Sequence, residues 1–319
     1  MAFARPLTRT LATVALGLAM ASAQAAAPQA KTQAPGYYRM PLGDFEVTAL
    51  SDGTVQLPVD KLLINTTQSK IQKALAYYYL KTPLMTSVNG YLINTGSKLV
   101  LIDSGAGSLF GPTLGKLVSS LKASGYSPEQ VDEIYITHLH PDHVGGLSAN
   151  GQRVFPNAVV RAEQADADFW LSQANLDKAP DDAKGFFQGA MASLKPYQDA
   201  GKFQPFKGDV ELAPGIHSLV TRAHTPGHST YVVESKGEKL VLWGDLIHVA
   251  SVQMAQPKVA IQFDSDPKNA VVQRKKAFDA AAKDGYWAAG AHLSFPGIGH
   301  LRTEGAGYDW LPVNYQNDQ

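Results

Sequence analysis

Residues 137–143 read Thr137-His138-Leu139-His140-Pro141-Asp142-His143, with Gly145 and Gly146 close behind. Imidazole and carboxylate are the side chains that hold Zn²⁺ and similar divalent metals. A solvated histidine-rich tract is the alternative, but such tracts are low in complexity and lie outside folded elements. This cluster instead follows the apolar run Ile134-Tyr135-Ile136 and precedes a Gly-Gly turn, so it sits at the end of a strand. A strand that ends in three histidines and an aspartate needs further ligands from elsewhere in the chain, and the fold must bring them to it.

The 319 residues are 45% hydrophobic and 18% charged, enough apolar material for one large domain or two small ones. Formal net charge is zero, so the basic footprint of a nucleic-acid binder is absent. Arg5 and Arg9, the apolar run from Leu11 to Ala21, and Ala23-Gln24-Ala25 form a secretory signal pattern over residues 1–27. The apolar run is short for a bilayer span, so no membrane insertion is expected after cleavage. Without the first 27 residues the chain keeps 26 basic and 28 acidic residues, a formal charge of −2, which suits a soluble periplasmic or secreted protein. There are no cysteines, which leaves His, Asp and Glu as the strong metal ligands.

Residues 28–36 read as a Pro/Ala/Gln linker and 37–319 as a single hydrolase-sized domain. Phe45 to Leu50 is expected as a strand, Ser51-Asp52-Gly53 as a turn, and Ser69 to Lys81 as a helix. Gly90 to Asn94 and Lys98 to Asp103 flank a Thr95-Gly96-Ser97 turn and predict a hairpin. Helices are expected over 113–124, 163–173, 182–198 and 267–283, and strands over 131–136, 158–161, 217–221, 231–233, 240–243 and 286–291. Two similar halves, each pairing a sheet with outer helices, predict two β-sheets packed face to face between helical layers.

Nine histidines occur in all, and six follow apolar strand-like runs: the three in the cluster, His224 and His228 in His-Thr-Pro-Gly-His, and His292. Asp245 follows Leu240 to Trp243 in the same way. In a layered α/β protein, loops at one end of the strands converge on a site.

This set, His-x-His-x-Asp-His with a later His, Asp and His, resembles the metallo-β-lactamase superfamily. The resemblance implies a four-layer αββα sandwich and a binuclear centre. It assigns His138, His140 and His224 to one ion and Asp142, His143 and His292 to the other, with Asp245 bridging. His228 is implied to support the ligands rather than bind. Zn²⁺ is the default ion, with Mn²⁺, Co²⁺ or Fe²⁺ as alternatives. Within the superfamily, Gly36 to Met40, Leu50 to Thr54, Phe110 to Gly115 and His292 to His300 are similar to the secreted methyl parathion hydrolases. That resemblance implies a homodimer and an aromatic pocket containing Phe110, Trp170 and Phe186. Leu62, His248, Ile261 and Phe263 depart from the phosphotriesterase pattern near the expected pocket, and the resulting pocket resembles that of lactonases acting on aryl lactones such as dihydrocoumarin.

The expected activity is opening of an aryl lactone or ester by a metal-bridging hydroxide, with Asp142 and Asp245 as the catalytic carboxylates and with weaker organophosphate hydrolysis. No Gly-x-Ser-x-Gly elbow is present to supply a serine nucleophile. A methyl parathion hydrolase-type phosphotriesterase is the alternative main activity. A non-catalytic binder that kept the fold is the alternative from another class, and loss of ligands would mark it.

Overall fold

The computed structural model describes residues 1–2 and 27–316. The secretory leader expected over 1–27 lies, apart from its ends, outside the described residues. Met1–Ala34 forms one unit and Pro35–Gln319 a second, compact one. Residues 27–34 are exposed and carry no helix or strand.

Two sheets dominate the second unit, and in each the strands hydrogen-bond in chain order. The six-stranded sheet contains Tyr37–Leu42, Phe45–Leu57, Leu84–Asn94, Leu99–Ile102, Glu133–Tyr135 and Val159–Arg161. The seven-stranded sheet contains Glu211–Ala213, Ile216–Val220, Ser229–Ser235, Glu238–Leu242, Trp287–Ala289, Ile298–Glu304 and Gly307–Pro312. Most pairings are antiparallel. The parallel ones (Leu99–Ile102 with Glu133–Tyr135, Glu133–Tyr135 with Val159–Arg161, and Glu238–Leu242 with Trp287–Ala289) follow crossover connections.

Three apolar cores account for the layering. Val47, Ile93, Val100 and Ile102 of the first sheet pack against Ile216, Tyr231, Val233 and Leu242 of the second. On the first sheet's outer face, Leu92, Leu101 and Ile134 meet Leu117 and Leu121 of the helix Leu117–Ala123 and Leu194 of the helix Asp181–Asp199. On the second sheet's outer face, Val232, Val241 and Trp243 meet Phe278 and Ala281 of the helix Pro267–Asp284. Alternation along the strands sends successive side chains to opposite faces, which is how one strand feeds two cores. The result is the expected four-layer αββα sandwich.

Most expected elements occur with shifted ends, as for the helices Gln68–Tyr77 and Leu117–Ala123. Residues 51–53 differ in kind. Ser51-Asp52-Gly53 is no turn: the strand runs unbroken from Phe45 to Leu57, with a register shift between Ser51 and Gly53. Gly53 takes a φ of 123°, and a Cβ there would meet Thr113 O at 2.1 Å. The turn-forming composition thus encodes a bulge that buries Asp52 rather than reversing the chain.

Asp52 then organises the loop after Ile102. Its carboxylate accepts hydrogen bonds from the amides of Ala106 at 2.9 Å, Gly115 at 3.0 Å and Leu117 at 3.0 Å. Asp52→Ala strands three buried or partly buried donors at once. It is expected to cost about 2–4 kcal/mol, read as a lowered urea midpoint at unchanged m-value.

Candidate metal centre

The strands deliver the expected ligands to one end of the sandwich. The cluster 138–143 follows Glu133–Tyr135, Asp245 follows Glu238–Leu242, and His292 follows Trp287–Ala289. His224 lies between Ile216–Val220 and Ser229–Ser235. Pro141 opens the one-turn helix Pro141–Val144, where its fixed φ and missing N–H cost nothing. That turn carries Asp142 and His143 round to a different side of the site from His138 and His140.

All seven expected ligands come together. Ligand atoms of His138, His140, His224 and Asp245 lie within 4.8 Å of one another, and so do those of Asp142, His143 and His292. Asp245 stands between the groups. Its Oδ1 is 3.3 Å from His143 Nε2, and its Oδ2 is 3.3 Å from His224 Nε2 and 3.1 Å from His292 Nε2. His140 turns its Nδ1 inward, 3.1 Å from His224 Nε2.

Hydrogen bonds on the outer ring nitrogens fix which nitrogen faces in. Nδ1–H of His143 donates to Asp103 Oδ2 at 2.8 Å, that of His224 to Asp264 Oδ1 at 2.9 Å, and that of His292 to Ser87 O at 3.0 Å. In the neutral ring each leaves the Nε2 lone pair pointing into the site, the arrangement a metal-binding imidazole needs. Asp103 is itself held by the Thr137 amide and hydroxyl, both at 2.8 Å, and sits in the left-handed backbone region at φ 59°. Asp166 ties two ligand loops together, accepting from Leu139 N at 2.8 Å and Gly227 N at 2.6 Å. Burial pushes its carboxyl up to about 6 against the pull of these donors.

Without cations the cluster is electrostatically awkward. Burial and neighbouring imidazoles hold His138 and His140 well below the usual histidine range. Burial also opposes charge on His143, but Asp245, Asp142 and Asp103 outweigh it and hold that ring well above the range. Nε2 of His138, Nε2 of His143 and Oδ1 of Asp245 are buried with no hydrogen-bond partner. Buried polar atoms of this kind call for a partner, and here three of them face one another across the ligand groups. Nitrogen and oxygen donors converging at this spacing suit two divalent ions, and the orphans are the atoms such ions would engage.

His228 stands behind the ligands. Its Nε2 accepts from the Asp245 amide at 3.0 Å, so its proton sits on Nδ1, which faces Thr221 Oγ1 at 2.9 Å. His248 was expected in the pocket wall and lies closer to the centre, with Nε2 3.0 Å from Asp245 Oδ2 and its ring stacked on His292. Asp245, His248 and His292 form a third group of ligand atoms within 4.8 Å.

A cavity opens above the ligands. Phe110, Phe186, His248 and Phe263 line it with Val55, Leu57 and Leu114, and His140, Asp142, Asp245 and His292 form its floor. Three expected pocket residues are placed elsewhere. Trp170 is 6% exposed and packs edge-on against His140, supporting it from the helix Gln164–Trp170. Ile261 is fully buried among Val59, Leu63 and Val259, and Leu62 packs against that same cluster. The supporting carboxylates Asp103, Asp166 and Asp264 were not among the expected site residues. Asp103 carried a usable signal, because it follows the apolar run Leu99–Ile102 as Asp245 follows its own strand.

The fold and the centre together define a class, and sequence comparison agrees with it. The family model described as the metallo-beta-lactamase superfamily matches residues 85–292, and the chain belongs to that superfamily. Among solved structures, the chain is similar to hydrolase AbOPH of the beta lactamase superfamily, at 41% identity and TM-score 0.85, covering 90% of this chain and 100% of that one. It is also similar to AidC, a dizinc quorum-quenching lactonase solved with the product N-hexnoyl-L-homoserine, at 26% identity and TM-score 0.82, covering 88% and 99%. An N-acyl homoserine lactonase of Bacillus cereus is 27% identical over 174 residues. That match takes in 48% of this chain and spans 60% of the length of the Bacillus protein.

Burial and the adjacent His224 pull His228 down to about 3. The ring therefore stays neutral throughout pH 5–8. ¹⁵N spectra are expected to show one unchanging Nδ1–H tautomer for His228 across that range. Because this folded pKa lies below the unfolded value of about 6.5, the associated stability is full above pH 6.5 and is lost as pH falls toward 3.

Proposed function

We propose that the protein is a secreted or periplasmic metal-dependent hydrolase that opens lactones, with aryl lactones such as dihydrocoumarin as the preferred class. The observation that carries this reading is the placement of two ligand groups, joined at Asp245, on the floor of a cavity walled by Phe110, Phe186 and Phe263. Flat apolar walls favour an aromatic substrate by burial and by offset or edge contacts. The leader pattern over residues 1–27 supports the export.

Two divalent ions bound here would supply Lewis acidity to an ester carbonyl and bring the pKa of water toward neutrality. The chain's own residues do the remaining work. Asp245 holds the two ligand groups at fixed separation through its two oxygens. Asp142, the most exposed ligand with a side chain 21% accessible, borders the cavity and is placed to take a proton from attacking water. Phe110 and Phe186 exclude water from the reacting ester and orient its ring. His248 borders both the floor and the wall, within reach of a substrate oxygen.

N-acyl homoserine lactones are the second reading, supported by the similarity to AidC over nearly the whole length of both chains. Phosphotriesters are the third, since the same centre suits in-line attack at phosphorus and only the pocket distinguishes the substrates. Esterase activity on aryl esters follows from the same geometry.

Chelation of the purified protein is expected to abolish hydrolysis of dihydrocoumarin, and return of Zn²⁺ or Mn²⁺ to restore it. On one preparation, kcat/KM for dihydrocoumarin should exceed those for N-hexanoyl homoserine lactone and methyl paraoxon by about tenfold or more. Preference for the acyl lactone or the phosphotriester would replace the proposed substrate class. Full activity after chelation would end the metal reading.

A further inference from the structure

Arg274 is fully buried in the helix Pro267–Asp284. An arginine is almost never buried without dedicated partners, and its partners here include the residue after Asp245 and the carboxylate that orients His224. Its Nε donates to the carbonyl of Leu246, the residue next to Asp245. Its Nη1 donates to the carbonyls of Pro257 at 3.0 Å and Val259 at 2.7 Å. Its Nη2 makes no hydrogen bond and lies 3.9 Å from Asp264 Oδ2, an ion pair without direct donation.

Asp264 is the carboxylate that orients His224. The amides of Ser265 and Asp266 donate to the carbonyls of His224 and Ala223, at 2.9 Å each, so the two loops move as one. Gln253 adds a second tie to the same segment. Its Oε1 accepts from the amides of His248 and Val249, and its Nε2 donates to Val259 O at 3.0 Å. One guanidinium therefore grips the turn carrying the bridging carboxylate and the loop that aims His224. The Asp142, His143 and His292 group rests on other supports, Asp103 and Ser87.

We propose that Arg274 is a positioning residue that acts mainly on one half of the centre: it sets the affinity of the His138/His140/His224 group for its ion through Asp264 and the loop that aims His224, and reaches the Asp142/His143/His292 group only through the shared Asp245. The inference rests on the metal reading above. Its physical basis is geometric. The planar fork reaches three carbonyls and a carboxylate from one fixed position, whereas a lysine ammonium is a point donor on a flexible stem. Loss of the fork leaves Asp264 without its cation and frees the Leu246 turn, and outer partners of this kind change metal affinity by about 10–100-fold.

The test uses the full-length protein loaded with Zn²⁺ and titrated with a chromophoric chelator, so that release of each ion is followed separately. Wild type should release two ions per chain. Arg274→Lys should weaken one release step by about tenfold or more and change the other by less than about threefold. Asp264→Asn should weaken the same step, and the double variant should lose less than the product of the two single effects, because both act on one ligand. Arg274→Gln, which keeps a planar donor, serves if the lysine variant does not fold, with folding followed by circular dichroism. Equal weakening of both steps would reduce Arg274 to a general packing role and overturn the inference, as would two unchanged steps in a folded variant. Wild-type protein that binds no stoichiometric metal would overturn the metal reading itself, and the inference with it.

Discussion

The contact set around Asp245 is the constraint on which the rest depends. One buried carboxylate faces the Nε2 atoms of His138, His143, His224, His248 and His292 within 3.6 Å. Five imidazole rings cannot all be charged in a space that burial already makes hostile to charge. Nor can they satisfy one another with hydrogen bonds, since His143, His224 and His292 commit their Nδ1–H outward and, when neutral, offer only acceptors inward. The chain therefore holds a group of side chains that repel or ignore each other and that divalent cations would reconcile. Folding energy from the three apolar cores must cover that cost, which is why the site sits at the rim of a large sandwich and not in a small domain.

Holding such a group in register falls to carboxylates one layer further out. Asp103, Asp166 and Asp264 each connect a ligand or a ligand loop to a different element, and His228 anchors the Asp245 amide. These contacts fix tautomers as well as positions. A ring whose Nδ1–H is committed outward can only present Nε2 inward, so the site's chemistry is decided before any ligand arrives. Asp52 plays the matching part for the wall, since the loop it pins carries Phe110 and Leu114.

The ligands were readable in the sequence because their chemistry is rare and dense. Three histidines in six positions after an apolar strand have few uses, and each later ligand repeats the placement. The supporting carboxylates were hidden because a lone aspartate at a strand end or loop looks the same whether it caps a turn, meets water or holds a ring. The same limit applies to Ser51-Asp52-Gly53, whose turn-like composition gives a bulge because the flanking residues pair with Leu84–Asn94 on both sides of it. The hairpin of Ile298–Glu304 and Gly307–Pro312 was missed for another reason: the first strand ends in exposed polar residues and the second is short, so neither shows a long apolar alternation. Ile261 and Leu62 show what local pattern cannot supply at all. An apolar residue near a site in sequence can face the cavity or the core behind it, and only the packing of Val59, Leu63 and Val259 decides between them.

Floor and wall come from different parts of the fold, and this separation has a chemical consequence. The floor is built from strand ends and is locked by buried hydrogen bonds, so its geometry changes only at a large cost in stability. The wall is built from the ends of the long strand Phe45–Leu57, the loop carrying Phe110, and one turn of the helix Asp181–Asp199, where Phe110 is 40% exposed. The exposed Phe110 can change volume there at little cost, whereas Leu57, Leu114 and Phe186 also pack into the cores. His248 is the exception, because it belongs to both. Its ring lines the cavity while its Nε2 touches the bridging carboxylate, and Gln253 fixes its backbone from behind. A substitution at His248 therefore acts on the substrate space and on the charge around Asp245 together, whereas one at the exposed Phe110 acts on the space alone.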